Sequence, residues 1–126
     1  MKFIDKTSVL IIHHKLVERY GGIYGLRDEG AFESAINAAE NRFYYETEDL
    51  AKLAATYAYH LSQAHAFLDG NKRIAAAVAA VFLEINGASL DATEDEIIEL
   101  FLDIAASKLS REDMEEKFAE WLVKAE

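Results

Sequence analysis

His65-Ala66-Phe67-Leu68-Asp69-Gly70-Asn71-Lys72-Arg73 leads directly into Ile74-Ala75-Ala76-Ala77-Val78-Ala79-Ala80-Val81-Phe82-Leu83-Glu84-Ile85-Asn86-Gly87. The second part decides the fold. Ile74, Val78, Val81, Phe82 and Ile85 recur at helical spacing and alanines fill the other faces, so residues 71–87 predict a helix that is apolar or small all round. Such a helix is buried, which makes it the expected centre of the molecule. Asn86-Gly87 closes it, since glycine takes the left-handed conformation at low cost. Phe67-Leu68-Asp69-Gly70 is a short break after a preceding helix over 48–66, where Leu50, Leu53, Ala54, Tyr57, Leu61 and Ala64 share one stripe.

Working outward, Val9, Ile12, Leu16 and Tyr20 line one face over 7–20 until Gly21-Gly22 stops them. A weaker helix over 30–41 has Asp28 as a cap, with Ala31, Ala35 and Ala38 small enough for close approach. Thr93 with Glu96 makes a capping box for a helix over 94–107, and Ser110 with Asp113 opens a last one through Met114, Phe118, Trp121 and Leu122. The 126 residues contain no proline, six glycines and 52% hydrophobic side chains in helical rather than alternating patterns. The expectation is an all-α, single-domain bundle of about six helices over residues 1–126, with about two-thirds of the unfolded surface buried. Residues 21–30 form the longest irregular stretch, and their glycine and charge suit a functional loop as well as a connector.

Composition narrows the function. Thirteen Lys and Arg stand against 23 Asp and Glu, a net charge of −10, and residues 91–126 carry 12 acidic against 4 basic side chains. A surface of this sign repels phosphate backbones, which argues against direct nucleic-acid binding. The acidic end reads as a solvated helix face rather than a docking surface for a basic partner. With no cysteine, a disulfide framework, a thiol nucleophile and the usual structural zinc sites are excluded. No apolar run approaches the roughly 18 residues of a spanning helix, and Met1-Lys2-Phe3-Ile4-Asp5 meets charge too early for a signal peptide. The expected setting is the cytoplasm, away from membranes.

Chemistry concentrates at the junction. Asn71, Lys72 and Arg73 open the apolar helix, whose first backbone N–H groups lack internal partners and lie at the positive end of its dipole. Two cations there oppose that dipole, and a bound phosphate resolves the conflict. Asp69 supplies a hard oxygen suited to magnesium. His65 falls in register with Leu61 and Ala64, so it is expected to point inward beside the loop, where an imidazole can take a proton from a hydroxyl. Each piece also has a plainer reading: a histidine on an apolar stripe serves as a core residue, and Asp-Gly-Asn is a turn sequence. Gly70-Asn71-Lys72 lacks the glycine spacing of a Walker loop.

Residues 65–73 as a whole resemble the signature of the Fic/Doc superfamily, and more narrowly its death-on-curing (Doc) branch. The Fic branch usually reads H-P-F-x-[DE]-G-N-G-R-x-x-R. This chain has Lys72 in place of the second glycine and Ala76 in place of the second arginine, as Doc sequences do. Arg19-Tyr20-Gly21-Gly22, Gly25-Leu26-Arg27-Asp28 with Gly30, Glu33, Ser34, Ala35 and Ile36, and residues 82–87 agree, so the likeness runs from about residue 8 to 90. It implies a Fic-type helical fold in which His65 is the catalytic base, Gly70, Asn71, Lys72 and Arg73 bind the phosphates of ATP, and Asp69 holds Mg2+. Doc toxins phosphorylate a threonine of elongation factor Tu and arrest translation, whereas Fic enzymes transfer AMP. The resemblance further implies a Phd-like antitoxin as partner. AMP transfer, or a catalytically silent partner-binding module, are the alternatives.

Outside the signature, His13 reads more simply as a core histidine than as a second polar group facing the site. His14 and His60 belong to no constellation. Arg19 either completes a helix C-terminus or, with Gly22 and Gly25, helps hold a target protein's loop along residues 21–27. Tyr44 and Tyr45 flank an Asn/Arg/Glu loop and read as packing.

Overall fold

Five side chains decide where helices begin. Asp5, Asp28, Asp49, Thr93 and Ser110 each accept a backbone N–H three residues on, and so open α1 (Lys6–Tyr20), α2 (Glu29–Tyr45), α3 (Leu50–Ala64), α5 (Glu94–Ala105) and α6 (Arg111–Trp121). α4 (Asn71–Ile85) starts instead at Gly70, with no side-chain cap. In this computed structural model residues 1–125 are described; Glu126, the last residue of the expected domain, lies outside them. Two short strands, β1 (Ala88–Leu90) and β2 (Leu122–Lys124), pair antiparallel with Ser89 opposite Val123. The expected all-helical architecture of six helices is present.

The centre of the bundle is α3, not the helix expected from sequence. Nine of its fifteen residues are buried, against six of fifteen in α4. It packs against α2, α4, α5 and α6, so Leu53, Ala54, Tyr57 and Leu61 are covered from several sides. Ala75 and Ala79 of α4 are buried, but Ala76, Ala77 and Ala80 are not, and Ala76 and Ala80 line a cleft beside α5. Fully burying a Leu, Phe or Tyr-sized apolar body contributes about 1.5–3 kcal/mol, and Phe32, Tyr57, Phe67, Phe82 and Phe118 do so within one continuous cluster from Ile4 to Phe118. The Tyr57 hydroxyl accepts the Ile4 N–H at 3.0 Å, anchoring the N-terminal segment, and burial pushes its pKa up to about 12.

The ends of α2 and α6 and the buried face of α2 differ from the sequence reading. α2 runs to Tyr45, so no loop separates Tyr44 from the helix, and both tyrosines are exposed (68% and 89%) rather than packed. Its buried face is Phe32, Ala35, Ile36 and Ala39, so Ala31 and Ala38 lie at the edges of the contact. α6 ends at Trp121, and Leu122 belongs to β2.

Candidate active site

The 65–70 loop alternates in burial, and that alternation builds the site. Ala66 and Phe67 are buried (1% and 2% exposed) while His65, Leu68 and Asp69 are open to solvent. Phe67 stacks on His13, ring centroids 3.8 Å apart, and meets Phe32 edge-on at 5.4 Å. His13 is a core histidine (3% exposed) and also supports the loop from behind: its Nε2 donates to the Asp69 carbonyl at 2.8 Å. Asn71 closes the loop, its Oδ1 accepting the Phe67 N–H at 3.0 Å and its Nδ2 donating to the Phe67 carbonyl at 3.1 Å. What Asn71 can offer a ligand is therefore its backbone N–H.

His65 does not continue the inward stripe of Leu61 and Ala64. α3 stops at Ala64, and His65 follows in the left-handed region (φ 48, ψ 39), which costs a non-glycine residue on the order of 1–2 kcal/mol. Leaving the helical register turns the residue outward. It lines a cavity of about 460 Å³, together with Asp69, Gly70, Asn71, Lys72 and Arg73. Gln63, Phe101 and Ala105 also line it, with Gln63 Nε2 donating to the Ile104 carbonyl at 3.1 Å and so tying α3 to α5. The volume is that of a typical small-ligand site.

The floor of this cavity is electropositive. The first N–H groups of α4 have no capping side chain, and Lys72 and Arg73 are exposed in its first turn. Among the described residues neither is paired with a carboxylate. The Arg73 guanidinium lies 4.7 Å from the centroid of the Tyr20 ring, and that of Arg19 lies 5.3 Å from it. Arg19 is thus a cation in the last turn of α1 near the site's edge. Helix N-terminus and unpaired cations together suit an anion.

Residues 21–28 lie along the loop. Leu26 bridges Phe67, the Leu68 N–H donates to the Gly25 carbonyl at 3.1 Å, and the Arg27 N–H donates to the Ala66 carbonyl at 2.7 Å. Gly25 (φ 111) passes Leu68, and Gly22 (φ 119) is so close to Asp69 that an added Cβ would fall 2.7 Å from Oδ2. The Asp69 Oδ1 accepts the Gly70 N–H at 2.8 Å. No group of three or more His, Cys, Asp or Glu side chains placed to hold a metal ion exists among the described residues. A lone exposed carboxylate fits magnesium, which is bound through one or two carboxylates plus substrate phosphates. It does not fit a resident metal with an all-protein cage.

Sequence reading missed two contributions. Arg27 Nη2 donates to the His65 carbonyl at 2.8 Å across 38 residues, a pairing no local spacing discloses. Phe101 and Ala105 come from the acidic final third, where periodicity shows an apolar face but not what it closes.

Comparison with known proteins finds relatives over most of the chain. The chain is 32% identical over 111 residues to the protein kinase doc of Escherichia phage P1, covering 87% of each. It is 34% identical over 97 residues to the toxin Doc of Mycolicibacterium smegmatis, covering 75% of this chain and 72% of that protein. No helix of the described residues is long and apolar enough to cross a membrane. The family model described as the Fic/DOC family matches residues 3–83, which include the entire 65–73 loop and α4 entrance, and the chain therefore belongs to the Fic/DOC family.

Proposed function

We propose that the chain is a Doc-type toxin, a protein kinase that transfers the γ-phosphate of ATP to a threonine of elongation factor Tu. The observation that carries the reading is one cavity in which His65 shares the walls with an uncapped helix N-terminus and two unpaired cations. The kinase and toxin names of its relatives support it.

In the proposed reaction the γ-phosphoryl group rests against the backbone N–H groups at the start of α4, with Lys72 and Arg73 neutralising its oxygens. His65 removes the threonine hydroxyl proton. The hydroxyl oxygen forms a bond to phosphorus as the bond from phosphorus to the β–γ bridging oxygen breaks, and ADP leaves with that electron pair. Such transfer depends on positioning and charge stabilisation more than on covalent chemistry by the protein. Mg2+ held by Asp69 would add charge neutralisation at the nucleotide phosphates. Residues 21–27, with Arg19, Gly22 and Gly25, present the target loop. An enzyme with this target works in the cytoplasm, restrained by a Phd-like antitoxin until it is released.

The test is incubation of elongation factor Tu with ATP labelled at either the γ or the α phosphorus. The reading expects γ-label on the factor and no α-label. Transfer of the α-label would assign AMP transfer instead, and no label from either would favour a silent partner-binding module.

A further inference from the structure

We propose that Arg27 is the positioning residue for His65, fixing the left-handed backbone that turns the imidazole toward the cavity and coupling it to the 21–28 segment. The inference rests on the reading of His65 as the base. His65 is one of two non-glycine residues at positive φ among those described, the other being Ser107. That conformation is sterically disfavoured and persists only where neighbours enforce it.

The neighbours are unequal. Contacts from residues 25–28 to the loop reach Ala66, Phe67 and Leu68: the Arg27 and Asp28 N–H groups donate to the Ala66 carbonyl at 2.7 and 3.1 Å, Leu26 bridges Phe67, and Gly25 accepts from Leu68. None of these extends back to His65. The gap between the end of α3 and this bridge is spanned by the Arg27 side chain, whose Nη2 donates to the His65 carbonyl at 2.8 Å. Among the described residues it is the only side-chain hydrogen bond made to His65. Arg27 has no carboxylate partner among those residues, so nothing in the fold competes for its donor. A charge-assisted bond of this kind is stronger than a neutral one. Anything that shifts residues 21–28, a docking target included, therefore acts on the base.

The experiment compares Arg27→Gln and Arg27→Lys with wild type in the full chain. Nuclear magnetic resonance reads the His65 backbone through its amide-to-Hα coupling and Cα shift. The left-handed signature should be averaged away in Arg27→Gln and partly kept in Arg27→Lys. With elongation factor Tu, kcat should fall about ten-fold or more in Arg27→Gln, with KM for ATP within about two-fold of wild type and partial recovery in Arg27→Lys. An unchanged His65 signature in Arg27→Gln overturns the proposal, as does a raised KM with kcat untouched. If His65→Ala transfers phosphate at the wild-type rate, the base reading falls by itself, while the resonance arm still decides whether Arg27 fixes His65.

Discussion

The imidazole of His65 reaches the cavity because the helix before it stops one residue short, at Ala64. That single change of φ separates a core histidine from an exposed one, and helical periodicity cannot show it. Asp69, Gly70, Lys72 and Arg73 were legible because their chemistry lies in one contiguous stretch. Glycines on the facing segment divide by what surrounds them. A methyl group at Gly21 (φ 82) would enter open space, whereas one at Gly22 would meet Asp69 Oδ2. Gly21→Ala should therefore cost about 1–2 kcal/mol of stability by chemical denaturation without pressing on Asp69. Gly22→Ala should show a similar loss and also slow transfer about ten-fold by displacing Asp69. Asn71→Ala removes both bonds to Phe67 and strands a part-buried N–H, so urea unfolding should show a loss of about 1–3 kcal/mol.

At the level of elements, capping made the helix starts readable. Asp28, the Thr93/Glu96 box and the Ser110/Asp113 box all act as the sequence implies. The strands were not readable, because three residues are too few to show alternation and their pairing joins positions 88–90 to 122–124. Nor was the central helix, since alanines permit burial without requiring it. A polar seam across α2, α3 and α6 is equally invisible to local spacing. Arg42 pairs with Glu46 and Glu115, Arg111 Nε lies 3.5 Å from Glu115, and Arg111 donates to His60 Nε2 at 3.2 Å. Burial, with Arg111 and Arg42 beside it, holds the His60 pKa below its ordinary value near 6.5. The unfolded chain then binds a proton at His60 more readily than the fold does, so stability falls as pH drops through the unfolded value. Thermal midpoints should decline from pH 7 to 5.5 in wild type and decline less in His60→Gln. Coincident profiles in that window would refute the assignment.

Across the whole molecule, a chain of net charge −10 places two cations that are unpaired among the described residues, Lys72 and Arg73, where the cavity opens. The acidic final third lines the same cavity through Phe101 and Ala105. Ala105 is exposed, so Ala105→Glu should leave the fold intact by thermal unfolding and raise KM for ATP about ten-fold, by setting a carboxylate against the nucleotide phosphates. The central claim is that His65 deprotonates the acceptor while the α4 entrance holds the phosphate. Single-turnover transfer from γ-labelled ATP to elongation factor Tu, measured for wild type and His65→Ala alongside nucleotide binding, tests it most directly. The account predicts a loss of about 100-fold or more in transfer with ATP affinity retained; transfer at the wild-type rate in His65→Ala would contradict it.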